Sequence, residues 1–186
     1  TALSTGPNGQ IVAVGGYVPG EGHVLLFAEG RIEPLPLQEP LGVGRCLLEF
    51  SPDGRQLAVA ETESRTVTLF DVDNRQELSR MTREGLSVTA LAWSDDAQFL
   101  AVGSHAGDGI LLFKLNDGAV SELSGLPGQV RSLDFSPDGT RLASAHFNRG
   151  VGLWDVASGR LLNGLEADDA GSDIVQFGED GDVLYS

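Results

Sequence analysis

Residues 130–166 read VRSLDFSPDGTRLASAHFNRGVGLWDVASGRLLNGLE, and this stretch decides the fold. Residues 130–135 mix apolar and polar positions in the way of a strand held between layers. Ser136-Pro137-Asp138-Gly139 follows. Pro137 pre-sets its own φ, Asp138 suits the second turn position, and Gly139 can take a positive φ without a Cβ clash. A tight hairpin is expected here. Leu142, Ala143, Ser144 and Ala145 make a second strand whose small residues suit close sheet packing. Residues 146–150 are polar and read as a loop. Residues 151–154 are a third strand, 155–159 turn again, and a fourth strand opens at Arg160.

The rest of the chain repeats this pattern. The aromatic before the first turn recurs at Phe50, Trp93, Phe135 and Phe177, spaced by 43, 42 and 42 residues. The aromatic closing the third strand recurs at Phe27, Phe70, Phe113 and Trp154, spaced by 43, 43 and 41. Val12, Leu57, Leu100, Leu142 and Leu184 keep step. So do the turns at Pro7-Asn8-Gly9, Pro52-Asp53-Gly54, Asp95-Asp96-Ala97, Pro137-Asp138-Gly139 and Glu179-Asp180-Gly181. Four strands in a period of about 42 residues is the pattern of a β-propeller blade. The expected fold is all-β, a propeller of four-stranded antiparallel blades. The repeats fall at 2–37, 45–81, 87–126, 130–165 and 173–186. No stretch has a helical period. Residues 15–23, GGYVPGEGH, read as a glycine-rich loop, and residues 32–37 as an outer fourth strand carrying Pro34 and Pro36. Ala97, standing where Gly54 and Gly139 stand, is expected to require a different turn.

Ser-Pro-Asp-Gly at 51–54 and 136–139, Leu-Trp-Asp-Val at 153–156 and the softer Leu-Phe-Asp-Val at 69–72 carry a resemblance to the WD40-repeat family. The resemblance covers nearly the whole chain. It implies a ring of blades that binds partners on the face formed by second-to-third and fourth-to-first strand connections. There are departures. Trp154-Asp155 is the one Trp-Asp pair, and no Gly-His opens a repeat. Where the family carries an Asp six residues before the Trp, this chain has Ser64, Gly107 and Asn148. The family's Ser or Thr, eight residues before the Trp, becomes Thr62, His105 and His146. The buried hydrogen-bonded tetrad of the family is therefore expected to be incomplete, with His105 and His146 in the Ser/Thr place. Residues 61–72, ETESRTVTLFDV, also resemble lactonase-like propellers of similar repeat length.

Dividing 186 residues by the period gives about 4.4 blades. A seven-bladed ring would need roughly 290 residues at this period. The expectation is one partial propeller, completed by further blades or by another chain. The charge is −15, from 12 basic and 27 acidic residues, and Lys114 is the one basic residue that is not Arg. That balance works against nucleic-acid backbones and anionic membranes, and favours basic partners or plain solubility. No run of about 18 or more apolar residues, the length of a membrane-spanning helix, is present. Cys46 is the single cysteine, expected to be buried, so no intrachain disulfide forms.

Several candidate sites dissolve on inspection. His23, His105 and His146 all fall in second-to-third strand connections. Blades hold them a blade width apart, so no metal site is expected. Residues Glu166, Asp168, Asp169, Asp173, Glu179, Asp180 and Asp182 form an acidic segment without a calcium motif, which reads as a solvated rim. No catalytic or cofactor motif stands out, and no cofactor is expected. What remains is recognition of a protein or peptide, with Tyr17, Arg45, Ser87, Gln129, Arg131, Phe147 and Arg149 on the candidate face. Phe147 and Arg149 bracket Asn148, an aromatic beside an Arg, which is hot-spot composition. The first function expected is a non-catalytic scaffold or sensor module. The alternative is the propeller portion of an enzyme, lactonase-like or gating a catalytic domain elsewhere.

Overall fold

The computed structural model describes residues 2–18, 21–37, 44–62, 65–105, 109–165 and 173–185. All described regular structure is β, and it falls in two compact units, Thr1–Val88 and Thr89–Ser186.

The first unit holds two four-stranded antiparallel meanders. One is β1 (Ala2–Thr5), β2 (Ile11–Val18), β3 (Glu21–Ala28) and β4 (Arg31–Pro34), paired in that order. The other is β5 (Cys46–Phe50), β6 (Gln56–Glu61), β7 (Thr66–Asp71) and β8 (Gln76–Thr82). Their apolar faces share one core, in which Val24, Leu57 and Phe70 are fully buried beside Leu26, Leu48, Phe50 and Val59. Each such side chain contributes about 1.5–3 kcal/mol of burial.

The second unit holds, from Thr89 onward, β9 (Val88–Trp93), with β10 (Phe99–Ser104), β11 (Ile110–Lys114) and β12 (Ala119–Leu123) as one meander. A further meander is β13 (Val130–Phe135), β14 (Arg141–His146), β15 (Gly150–Asp155) and β16 (Leu161–Leu165). The hairpin β17 (Val175–Phe177) and β18 (Val183–Tyr185) follows. Leu100, Ile110, Leu123, Val130, Leu142 and Trp154 fill the core between the meanders. Hydrogen bonds also tie one sheet to the next. Thr89 Oγ1 donates to Val130 O (2.6 Å), Ser132 Oγ to Val175 O (3.3 Å), and Phe177 N to Asp134 Oδ2 (2.6 Å). The four-stranded antiparallel sheets are propeller blades in form, as the period predicts.

The β5–β6, β9–β10 and β13–β14 turns are built the same way. Ser51, Ser94 and Ser136 are buried, and each hydroxyl donates to the Asp two residues on at 2.6 Å. Each accepts, at 2.9 Å, the amide five residues on. The Asp carboxylate then takes a further amide at 3.0 Å. This closed set explains why Ser-x-Asp recurs with the period.

Three expectations need correction. Ala97, where glycine is absent, was expected to force a different turn. It adopts the same turn, with φ 54° and its amide donating to Ser94 O at 2.8 Å. The hydrogen bonds around Ser94 outweigh the cost of a left-handed alanine, about 1 kcal/mol. The glycine-rich stretch 15–23, expected as a loop, is strand instead. Gly15 pairs with Val24, and the ladder runs on to Val18 opposite Glu21. A Cβ on Gly15 would stand 2.5 Å from Cys46 Sγ, so glycine marks close sheet packing rather than a turn. His23 accordingly lies within β3, not in a connection. Finally, the fourth strand of the first repeat, expected over 32–37, ends at Pro34. Leu35 N still reaches Val24 O (2.8 Å), but Pro36 has no amide to continue the ladder.

Candidate partner-binding site

The clearest site lies in the second unit where β14 passes into β15. Asn148 takes φ 57° and Gly150 φ 89°, which turns the chain in three residues. Phe147 N donates to Gln129 O (2.9 Å), and Arg149 N to His146 O (3.2 Å). The loop is thus fastened to the connection that enters β13. In the first unit Thr62 N donates to Arg45 O (2.9 Å), the same bond one repeat pair earlier. Arg45 N in turn meets Thr62 Oγ1 (3.0 Å).

The two repeats differ by one residue. β5 and β6 pair residue by residue, Cys46 with Glu61 and Leu47 with Ala60. In β13 the partners are Val130 with His146 and then Ser132 with Ala145, which leaves Arg131 without an opposite. This β-bulge re-aims the side chain. The Arg131 guanidinium lies over the Phe147 ring, 4.6 Å from its centroid. Its Nε is 3.9 Å from Asp173 Oδ1. Phe147 remains 45% exposed, and Arg149 and Asp173 are exposed beside it.

Beneath the loop is a buried polar chain. Trp154 and His146, each 1% exposed, meet through fully buried Ser144. Trp154 Nε1 donates to Ser144 Oγ at 2.7 Å, and Ser144 Oγ lies 2.9 Å from His146 Nε2. Ser144 Oγ is also 3.5 Å from Gly152 O, a longer alternative for its one proton. The geometry therefore assigns Nε2 as acceptor and leaves the imidazole proton on Nδ1, which has no well-formed partner among the described residues. Burial pushes the imidazole pKa down, and the Gly128 backbone opposes this only in part. Nearby, burial pushes the Asp134 carboxyl up, against the amide of Phe177. Gly152 makes room for the polar chain, since a Cβ there would stand 2.9 Å from both Ser144 Oγ and Trp154 Nε1.

The sequence expectations divide accordingly. Gln129, Arg131, Phe147 and Arg149 come together in one cluster. Arg45 is exposed at the equivalent place in the first unit, and Ser87 is half-buried ahead of β9. Tyr17 lies in β2 opposite Gly22, and its side chain is outside the described residues. Ser64 and Gly107 are also outside them, as are Glu166, Asp168 and Asp169 of the acidic segment. His105 is exposed at the end of β10 and does not occupy a buried tetrad place. His146 does not replace a tetrad hydroxyl either: Ser144 supplies the hydroxyl and His146 extends the chain. The bulge was missed, although one extra residue between Gln129 and Phe135, compared with Arg45 and Phe50, signals it. Cys46 is buried, and burial raises its thiol to about 11, so it is inert at neutral pH.

The family model for the WD domain, G-beta repeat (WD40), matches residues 77–113 and 120–155. This chain carries WD40 repeats. Each matched WD40 segment begins at an outer strand, β8 or β12, and ends at the third strand of the next sheet. In these two segments sequence repeat and sheet are therefore offset by one strand, and the β9–β12 sheet carries strands of both. A WD repeat-containing protein of Schistosoma mansoni, SL1-17, is 36% identical over 115 residues, 62% of this chain and 38% of that protein. An uncharacterized WD repeat-containing protein of Synechocystis is 34% identical over 137 residues, 72% of this chain and 38% of that protein. The anaphase-promoting complex subunit cdc20 of Dictyostelium discoideum is 33% identical over 115 residues, 60% of this chain and 22% of its own length. The chain thus spans about two fifths of the first two relatives.

Proposed function

We propose that this chain is a non-catalytic scaffold or sensor module that binds a protein or peptide on the face around Phe147. WD40 relatives support a protein-interaction role in general, and one of them is by name a subunit of a multiprotein complex. The observation that carries the reading is Phe147, 45% exposed, on a loop fastened to rigid strands and flanked by Arg131 and Arg149. An exposed aromatic held in place by its own backbone binds at little entropic cost. The repeats at 2–37, 45–81, 87–126, 130–165 and 173–186 are proposed as successive blades of one ring, completed by further blades or another chain. The charge of −15 favours a partner of net positive charge and works against nucleic acid and anionic membranes.

The test is quantitative affinity capture with the wild-type chain and with Phe147→Asp. A set of proteins held by the wild type and lost from the variant is the expected result. Equal recovery of every captured protein on both would overturn this choice of face.

A further inference from the structure

We infer that the cluster around Phe147 seats a carboxylate side chain, Asp or Glu, from an extended segment of a partner protein. This rests on the reading of that face as the binding surface and adds the chemistry of the contact.

Charge on the face runs against the chain as a whole. With 27 acidic residues to 12 basic ones, an Arg placed at random meets a carboxylate. Arg149 makes no ion pair or side-chain hydrogen bond among the described residues. Among the described residues Arg131 meets one carboxylate, Asp173, at 3.9 Å, beyond hydrogen-bond distance and with the Asp side chain 74% exposed. An exposed pair of that length holds little energy. One guanidinium lies over the ring and a second arginine stands two residues along the same loop; with no firm acceptor among the described residues, both are open to an anion from elsewhere.

The geometry suits a carboxylate. The bulge takes Arg131 out of the ladder and lays its guanidinium on Phe147. The ring occupies one face of the guanidinium, and the N–H donors point outward from its edge, where a carboxylate binds in bidentate fashion. Arg149 is also held close. The Gly128 backbone runs beside it, so that a Cβ on Gly128 would stand 3.2 Å from Arg149 Cγ and 3.1 Å from Phe147 O. The stem of Arg149 is therefore confined before binding. Phe147 offers apolar surface to the methylenes of Glu. A nucleic acid would bring a row of phosphates against a chain of charge −15, whereas one carboxylate meets only the local field.

The experiment selects binders from a phage-displayed library of random dodecapeptides on the wild-type chain. Selected peptides are then measured by fluorescence polarisation against wild type, Arg149→Ala, Arg131→Ala, Phe147→Ala and Arg149→Lys. A fluorescent single-stranded oligonucleotide is run in parallel. The expected result is a fixed Asp or Glu in the selected peptides, with about tenfold weaker binding to each Ala variant of Arg. Arg149→Lys should recover part of the loss. Changing the fixed Glu to Gln should weaken wild-type binding and leave the Arg149→Ala complex little changed. Peptides that need Phe147 but carry no fixed acid would overturn the carboxylate and leave the face standing. Peptides indifferent to all the variants, or a selection that yields none, would overturn both. Oligonucleotide binding lost with Arg149→Ala would replace the peptide by nucleic acid. All the substituted side chains are exposed, and circular dichroism melts confirm that each variant folds.

Discussion

His146 is the residue on which the loop's foundation turns. It is buried, it accepts from Ser144, and its pKa is lowered by burial. Protonation would put a proton on Nε2 and oblige Ser144 to redirect its own to Gly152 O, 3.5 Å away. The folded state therefore resists the charged form, while the unfolded chain takes up the proton near the ordinary value of 6.5. Because the folded pKa is depressed, the unfolded state binds more protons between the two values. Stability is full above about pH 6.5 and falls as the pH drops below it, with a slope of at most about 1.4 kcal/mol per pH unit for one proton. Urea unfolding midpoints from pH 8 to pH 5 should show this decline in the wild type and a shallower one in His146→Gln. Parallel profiles for the two proteins would remove His146 as the source. The sequence placed His146 beside the loop but not its role, because Trp154, which bonds the shared Ser144 hydroxyl, is brought there by strand register, opposite Leu142, and not by nearness in the chain.

At the scale of the element, the first turn of the blade is the unit that the sequence shows best. Ser-x-Asp is local chemistry, a hydroxyl and a carboxylate closing on amides within five residues, so its spacing is visible directly. Ala97 tests how strong that local set is. It holds φ 54° where Gly54 and Gly139 hold 73° and 67°. Ala97→Gly should relieve the left-handed strain, about 1 kcal/mol, partly offset by the greater entropy of unfolded glycine. The net expectation is a gain of a few tenths to about 1 kcal/mol in urea unfolding, with Gly139→Ala losing a similar amount. A destabilised Ala97→Gly would mean that the turn is held by its bonds without strain. The same element shows where sequence reading fails. Gly15 and Gly16 resembled loop residues because glycine serves both turns and close strand packing, and only the approach of Cys46 distinguishes the two. The bulge at Arg131 is a third case: one inserted residue changes where a side chain points while the apolar pattern on both sides of it continues unbroken.

For the whole molecule, charge is the property with the longest reach. Twenty-seven acidic residues against 12 basic ones leave −15 distributed over a chain of 186 residues. The ion pairs in view are local and partly exposed, such as Arg80 with Glu77 at 3.0 Å and Lys114 with Asp117 at 3.2 Å. Pairs of this kind contribute about 0–1 kcal/mol each. The turn carboxylates are held in the charged form by their hydrogen bonds, which outweigh a small desolvation. Asp138, held down to about 2 chiefly by the Ser136 hydroxyl and then by the amide and hydroxyl of Thr140, stays charged at any ordinary pH. Self-repulsion among so many like charges extends over a Debye length, about 30 Å at 0.01 M salt and about 8 Å at 0.15 M. Screening should therefore relieve more repulsion than it removes attraction. Raising KCl from 10 to about 200 mM is expected to raise Tm by several degrees, where about 1 kcal/mol corresponds to about 2–4 °C for a chain of this size. Calorimetry at fixed pH reads it directly. A Tm that falls over this range would mean that attractive pairs, not net repulsion, dominate the folded state. The binding face should respond in the opposite sense, since its contact with a carboxylate is attractive and weakens as the same salt is added.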